Sequence, residues 1–109
     1  MFNIINMAKK DILLLPNELR LLKRMGGQIS LARMRRHMSI SEMAERTGLS
    51  RVTIYNVENG LPSVNIGSYM KVLHILHLDD DILKIAGTDE YGRQIQDFEL
   101  LPKRRKNEK

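Results

Sequence analysis

The stretch from Ser39 to Gly60, S-I-S-E-M-A-E-R-T-G-L-S-R-V-T-I-Y-N-V-E-N-G, limits what this chain can fold into more than any other. Ser39 and Glu42 make the S-x-x-E pattern of a capping box, which satisfies free backbone N–H groups at a helix start. Met43 and Ala44 supply an apolar face, and Gly48 offers the left-handed conformation that ends a helix at little cost. Ser50 predicts the cap of a second helix, with Ile54 and Val57, three apart, turned inward. Asn59-Gly60 stops it. The pattern predicts two short helices joined by a tight turn.

The outward face of that second helix carries Arg51, Val52, Tyr55 and Asn56. Arg and Asn are the side chains that make paired hydrogen bonds to guanine and adenine edges, so the unit reads as a helix-turn-helix. The charge balance agrees with it. A net charge of +5 and a pI near 9.7 point to a polyanionic partner, either nucleic acid or an acidic surface. With 109 residues there is room for one domain with a modest core, plus arms. There is no cysteine, which excludes a disulfide framework, a thiol nucleophile and a cysteine zinc site and fits a reducing cytosol. No apolar run approaches the roughly 18 residues of a membrane span. The opening M-F-N-I-I-N-M-A-K-K has too short an apolar stretch, with its charges on the wrong side, for a signal peptide. The expectation is a cytoplasmic protein without a membrane contact.

In chain order, residues 1–16 read as an N-terminal arm, with Met7 an alternative start. The cluster Ile12-Leu13-Leu14-Leu15 before Pro16 either packs on its own domain or crosses to a second subunit. Asn17 is expected to cap the first long helix, with Glu18 near the positive end of its dipole. Leu19, Leu22 and Met25 form its stripe, and Gly26-Gly27 marks a break or bend. A second helical piece then carries Ile29, Ala32 and Met38 inward. Arg33, Arg35 and Arg36 crowd its end, either as a solvated face or as phosphate contacts. After Gly60, Ser63 is expected to cap a helix with the stripe Ile66, Tyr69, Met70, Leu73 and Leu76. A further short helix runs from Asp79-Asp80-Asp81 through Ile82, Leu83 and Ile85 to Gly87. The compact unit thus covers residues 17–87 and counts five helices, an all-α fold. Residues 88–101 predict one more helix with the stripe Tyr91, Ile95 and Phe98. Residues 102–109 form a basic tail, Lys103, Arg104, Arg105 and Lys106, with nothing to bury. It is either a solubilising tail or a source of sequence-independent phosphate attraction.

Other constellations carry less. His74-x-x-His77 puts two imidazoles on roughly one helical face near Asp79–Asp81, but without a clear third ligand no metal site is expected. His37 lies among arginines and reads as a surface or phosphate-side residue. Seven methionines read as core filler, with Met34 and Met38 as possible walls of a partner groove. No nucleophile elbow, phosphate loop or zinc-protease signature is present, so neither an enzyme nor a cofactor is expected.

Residues 29–83 resemble the lambda-repressor-type helix-turn-helix proteins, the Cro/C1 or XRE family. The resemblance is carried in order and without gaps by Ile29 with Arg33, by M-S-I-S-E-M-A at 38–44, by T-G-L-S-R-V-T-I at 47–54 and by V-E-N-G at 57–60. It implies a five-helix lambda-repressor-like fold and an ion pair between Arg33 and Glu58 that locks the first helix to the recognition helix. It implies base contacts from Arg51, Val52 and Asn56, with Ser50 and Asn59 near phosphates. Thr53, Tyr55, Arg35 and Arg36 complete the candidate phosphate contacts, Tyr55 with a thymine methyl, or plain cover of the helix flank, as its alternatives. Position 40 departs from the family, which usually has a phosphate-binding glutamine where this chain has Ile40.

The run from L-H-L-D-D-D-I-L through Y-G-R-Q-I-Q-D to L-P-K-R-R-K resembles HipB-type antitoxin regulators. That likeness implies a homodimer on a palindromic operator, repression of its own operon and a HipA-type kinase toxin as partner. The alternatives are a protein-binding adaptor whose main role is holding such a partner, with Ile12–Leu15 and the stripe Tyr91, Ile95, Phe98 as interface, and a phage-type repressor without a toxin.

Overall fold

The computed structural model describes residues 12–96, and among them every regular element is helical. Four α-helices follow in order: α1 Pro16–Arg35, α2 Ile40–Thr47, α3 Arg51–Glu58 and α4 Ile66–Ile75. A 3-10 helix, Asp79–Lys84, comes next, and helical residues 90–96 form α5. The chain divides into two compact units, the first ending at Asp79 and the second beginning at Asp80.

α1 is a single helix of 20 residues, roughly 30 Å long, where two pieces were expected. Gly26-Gly27 does not break it. Two glycines in a helix interior cost about 1 kcal/mol each relative to alanine, too little to overcome the hydrogen bonds on either side. Gly26 is instead buried at a close approach. A Cβ there would lie 2.5 Å from the Gly60 nitrogen and 2.7 Å from the carbonyl oxygens of Val57 and Glu58. The start of α1 also differs from expectation. Leu15, not Asn17, is the N-cap, with Pro16 in the first turn, where its missing N–H is no loss. Glu18 accepts a hydrogen bond from the Leu15 N–H at 2.8 Å, and Asn17 accepts one from the Arg20 guanidinium. The expected stripe is only half realised, because Leu19 is exposed while Leu22 and Met25 are half-buried. Ile12, Leu13 and Leu15, ahead of and at this cap, stand exposed.

α2 and α3 follow the pattern in the sequence closely. The Ser39 hydroxyl accepts from the Glu42 N–H at 3.0 Å, and Gly48 closes α2 at φ 78°. The reciprocal half of the box is missing, since Glu42 pairs with Arg46 at 2.9 Å one turn along. Ser50 accepts from the Thr53 N–H at 3.1 Å to start α3, and Gly60, at φ 65°, ends the turn after it.

In α4 the cap is Asn65, not Ser63: its side chain accepts from the Ser68 N–H at 2.8 Å. The buried face also differs in part from the expected stripe. Tyr69 and Val72, with Leu76 just beyond the helix, are buried, whereas Ile66 and Met70 are exposed. The Tyr69 hydroxyl donates to the Leu61 carbonyl at 3.1 Å, and burial raises its pKa above the ordinary value.

The core of the first unit joins Ile29 and Ala32 of α1, Met38, Met43 of α2, Ile54 and Val57 of α3, and Tyr69, Val72 and Leu76. Of these, α3 is the hub. It packs against α1, α2 and α4, so Ile54 and Val57 sit at the centre of the unit.

The second unit has a different character. The short helix expected from Asp79-Asp80-Asp81 to Gly87 is a 3-10 helix that ends at Lys84, with Leu83 and Ile85 exposed. Its run of three aspartates begins the turn, and Ala86 at φ 61° ends it. Asp89 caps α5, accepting from the Gly92 N–H at 3.1 Å, and Arg93 donates to the Gly87 carbonyl at 2.8 Å. Tyr91 and Ile95 are exposed on α5. Phe98 and the basic tail from Lys103 to Lys106 lie outside the described residues, as do residues 1–11. No helix among the described residues is long and apolar enough to cross a membrane.

Candidate nucleic-acid interface

α3 is held in place from three directions, and each contact uses a residue on its inner side. Ile54 and Val57 are fully buried. Glu58, in its last turn, receives Arg33 of α1 in a paired contact, Nε to Oε2 at 2.6 Å and NH2 to Oε1 at 3.1 Å. The third arm of the same guanidinium donates to the Met38 carbonyl at 2.6 Å. One arginine therefore ties α1 both to the end of α3 and to the loop that leads into α2. The two side chains are only 12% and 9% exposed, so the pair is largely shielded from water and salt.

The outer side of α3 is left free. Arg51, Val52 and Tyr55 are exposed, and Asn56 is half-exposed beside them. The one carboxylate of α3, Glu58, is turned inward and paired, so no negative charge faces out from this helix. The hydroxyls of Ser50 and Thr53 lie 2.9 Å apart at its start. Asn59 uses its amide to donate to the Tyr55 carbonyl at 2.9 Å, so it closes the helix as well as standing exposed.

The remaining candidates are placed on α1 and around it. Arg35 and Arg36 are exposed at the end of the helix, where cations meet its negative dipole. One nitrogen of Arg36 donates to the Ala32 carbonyl at 2.8 Å, leaving the rest of the guanidinium open. Ile40 is half-buried against the core, which accounts for an apolar residue at the start of α2. His37 adopts φ 55° as it closes α1. His74 lies 3.2 Å from Asp79, and that hydrogen bond lowers the Asp79 pKa. No cluster of three metal-binding side chains occurs among the described residues.

Two features were not anticipated from the sequence. The Met38 carbonyl as a third partner of Arg33 has no signature, since any residue supplies a carbonyl. The backbone contact between Gly26 and Gly60 had a usable one: a glycine inside a strong helical pattern that neither bends nor ends it points to a close neighbour.

Comparison with known proteins adds one finding. A helix-turn-helix family profile matches residues 29–83, half of the chain, from the C-terminal part of α1 through α4 and into the 3-10 helix. No curated protein matches the chain.

Proposed function

The chain belongs to the XRE-type, lambda-repressor-like helix-turn-helix family of DNA-binding transcription regulators, and from that premise we propose that it represses its own operon as a dimer on a palindromic operator. The observation that carries this reading is the division of α3. Its inner side chains fix it in the core, and its outer face presents Arg51, Val52, Tyr55 and Asn56 with no carboxylate among them. Such a helix fits the major groove, with Arg51 on the O6 and N7 of a guanine and Asn56 on an adenine. Ser50, Thr53, Tyr55 and Asn59 flank it as phosphate contacts, and Arg35 and Arg36 extend them along α1. One such helix reads only a few base pairs. Two copies spaced by one turn of DNA, about 34 Å, make the site long enough to be selective.

The likeness of residues 76–106 to HipB-type antitoxins gives the finer proposal, a toxin–antitoxin operon whose second product is a HipA-type kinase. The exposed Tyr91 and Ile95 of α5 favour a protein contact in that segment, and the basic tail favours extra phosphate attraction. The adaptor reading, in which partner binding is the main role, rests on the same exposed side chains.

The test is fluorescence anisotropy on the DNA upstream of the gene and on a scrambled duplex, at two salt concentrations. The repressor reading expects tight, selective binding that persists at the higher salt. Equal, weak binding that vanishes from both duplexes would leave charge alone at work and favour the adaptor.

A further inference from the structure

The buried seam of α1 runs on past the body of the domain. Positions 15, 19, 22, 26, 29 and 33 alternate in steps of four and three, the spacing that keeps one line of side chains on one side of a helix. The second half of this line is covered from within the chain. Gly26 meets the backbone of Val57, Glu58 and Gly60, Ile29 is buried in the core, and Arg33 pairs with Glu58. The first half, Leu15, Leu19 and Leu22, has no such cover among the described residues. Every residue from Leu15 to Leu21 is exposed, with Leu15 at 65% and Leu19 at 43%, and Leu22 is only half-buried. This overhang also lies ahead of residues 29–83, the part of the chain that the helix-turn-helix profile matches.

Its surroundings give the strip a chemistry. The Gly60–Leu61 turn rests on the backbone of Leu22 and Lys23, and Leu61 is itself exposed, so the leucines end at a step rather than on an open plane. Arg20, Lys23 and Arg24 stand exposed around them, and none has a carboxylate partner among the described residues. Glu18 is the one carboxylate in residues 12–28, and it is engaged by the Leu15 N–H. DNA phosphates would leave the leucines in water, and a second copy would bring the same three cations against these. The strip is also small. From Leu15 to Met25 it spans roughly 15 Å of a helix about 10 Å across, well short of the roughly 800 Å² per partner of a stable dimer. It suits two or three turns of another protein's helix laid along it. We infer that Leu15, Leu19 and Leu22 dock an acidic amphipathic helix of a partner protein, with Lys23, Arg20 and Arg24 selecting its charge. The site uses no residue of the outer face of α3, so it stands whether or not that face reads DNA.

The experiment uses the full chain and a dye-labelled synthetic helix with leucines in alternating steps of three and four and glutamates on its other faces. The comparison peptides are a shuffled order of the same residues and a version with lysine for each glutamate. Anisotropy should show the acidic helix bound about tenfold more tightly than either, or better. Leu15→Ser and Leu19→Ser should each lose about tenfold, the factor that uncovering a leucine side chain gives. Lys23→Glu with Arg24→Glu should shift the preference toward the lysine peptide, and the acidic preference should shrink as salt rises. Leu31→Ser, exposed elsewhere on α1, should change nothing. All these positions are exposed, so the variants keep their fold, as circular dichroism verifies.

Equal binding of the acidic and shuffled peptides overturns the inference, and so does a loss in Leu31→Ser that matches the loss in Leu19→Ser. Self-association of the chain alone, seen by sedimentation and abolished by Leu19→Ser, overturns it in favour of a second copy. Binding to anionic phospholipid vesicles that Leu19→Ser abolishes, with no peptide bound, overturns it in favour of a membrane.

Discussion

Gly26 and Gly60 meet backbone to backbone, one in the middle of α1 and the other just past the end of α3, with no room for a side chain on either. A Cβ on Gly60 would run into the Leu22 carbonyl, and its φ of 65° already lies in the left-handed region. This contact and the Arg33–Glu58 pair fix the C-terminal end of α3 to α1 at two points a helical stretch apart.

Neighbouring glycines should therefore respond in opposite directions. Gly60→Ala is expected to cost about 3 kcal/mol or more, through the forced φ and the overlap, and Gly26→Ala about 2–3 kcal/mol. Gly27→Ala meets nothing within 4 Å and should stabilise the helix by about 0.5–1 kcal/mol. Urea midpoints of the three variants check the order. A neutral Gly60→Ala would show that the contact yields.

Removing one member of the Arg33–Glu58 pair leaves a shielded charge without its partner. Arg33→Ala and Glu58→Ala should each cost about 3–5 kcal/mol, Arg33→Ala the more because the Met38 carbonyl also loses its donor. The double variant Arg33→Met, Glu58→Met should lose less than the sum of the single changes, and denaturation across the cycle measures the difference.

On DNA, two kinds of basic residue should separate by their signatures. Arg51→Ala is expected to cost about 1–3 kcal/mol on the specific site and to relax one base position. Deleting residues 103–109 should weaken all duplexes alike and flatten the dependence on salt. Titrations at several salt concentrations distinguish them. An equal loss from Arg51→Ala on every sequence counts against its role in base reading.

Tyr69 ties stability to alkaline pH. Burial raises its phenol pKa above 10.0, so the folded state favours the neutral form. Its contribution is whole below pH 10 and declines as pH rises through the raised value. The difference in phenolate absorbance between wild type and Tyr69→Phe should show a group ionising above pH 10. The wild type should also lose stability more steeply than the variant in that range.

Where local chemistry decides, the sequence was readable. Ser39, Gly48 and Ser50 act within three or four residues of themselves; α2 begins and ends, and α3 begins, where those residues stand. The same holds for the alternation that buries Ile54 and Val57. Errors arose where a distant contact decides. Gly26-Gly27 looks like a break until α3 is placed against it. Ser63 and Asn65 are both good caps, and neither says that packing buries Tyr69 and Val72 and leaves Ile66 exposed. On the outer face of α3, exposure is legible from the helical period, but what such a face binds is set by another molecule.

The split between the two sides of α3 also bears on how such a regulator diverges. Ser50, Ile54, Val57, Glu58 and Gly60 carry the duties of folding, whereas Arg51, Val52 and Tyr55 stand exposed and Asn56 half-exposed. On the proposed reading of α3, substitutions in the second set would spare the scaffold, so duplicated copies could drift to new DNA sites without passing through an unfolded ancestor. Under that proposal, grafting those four side chains from a sister protein would be a short mutational path to an insulated, orthogonal switch.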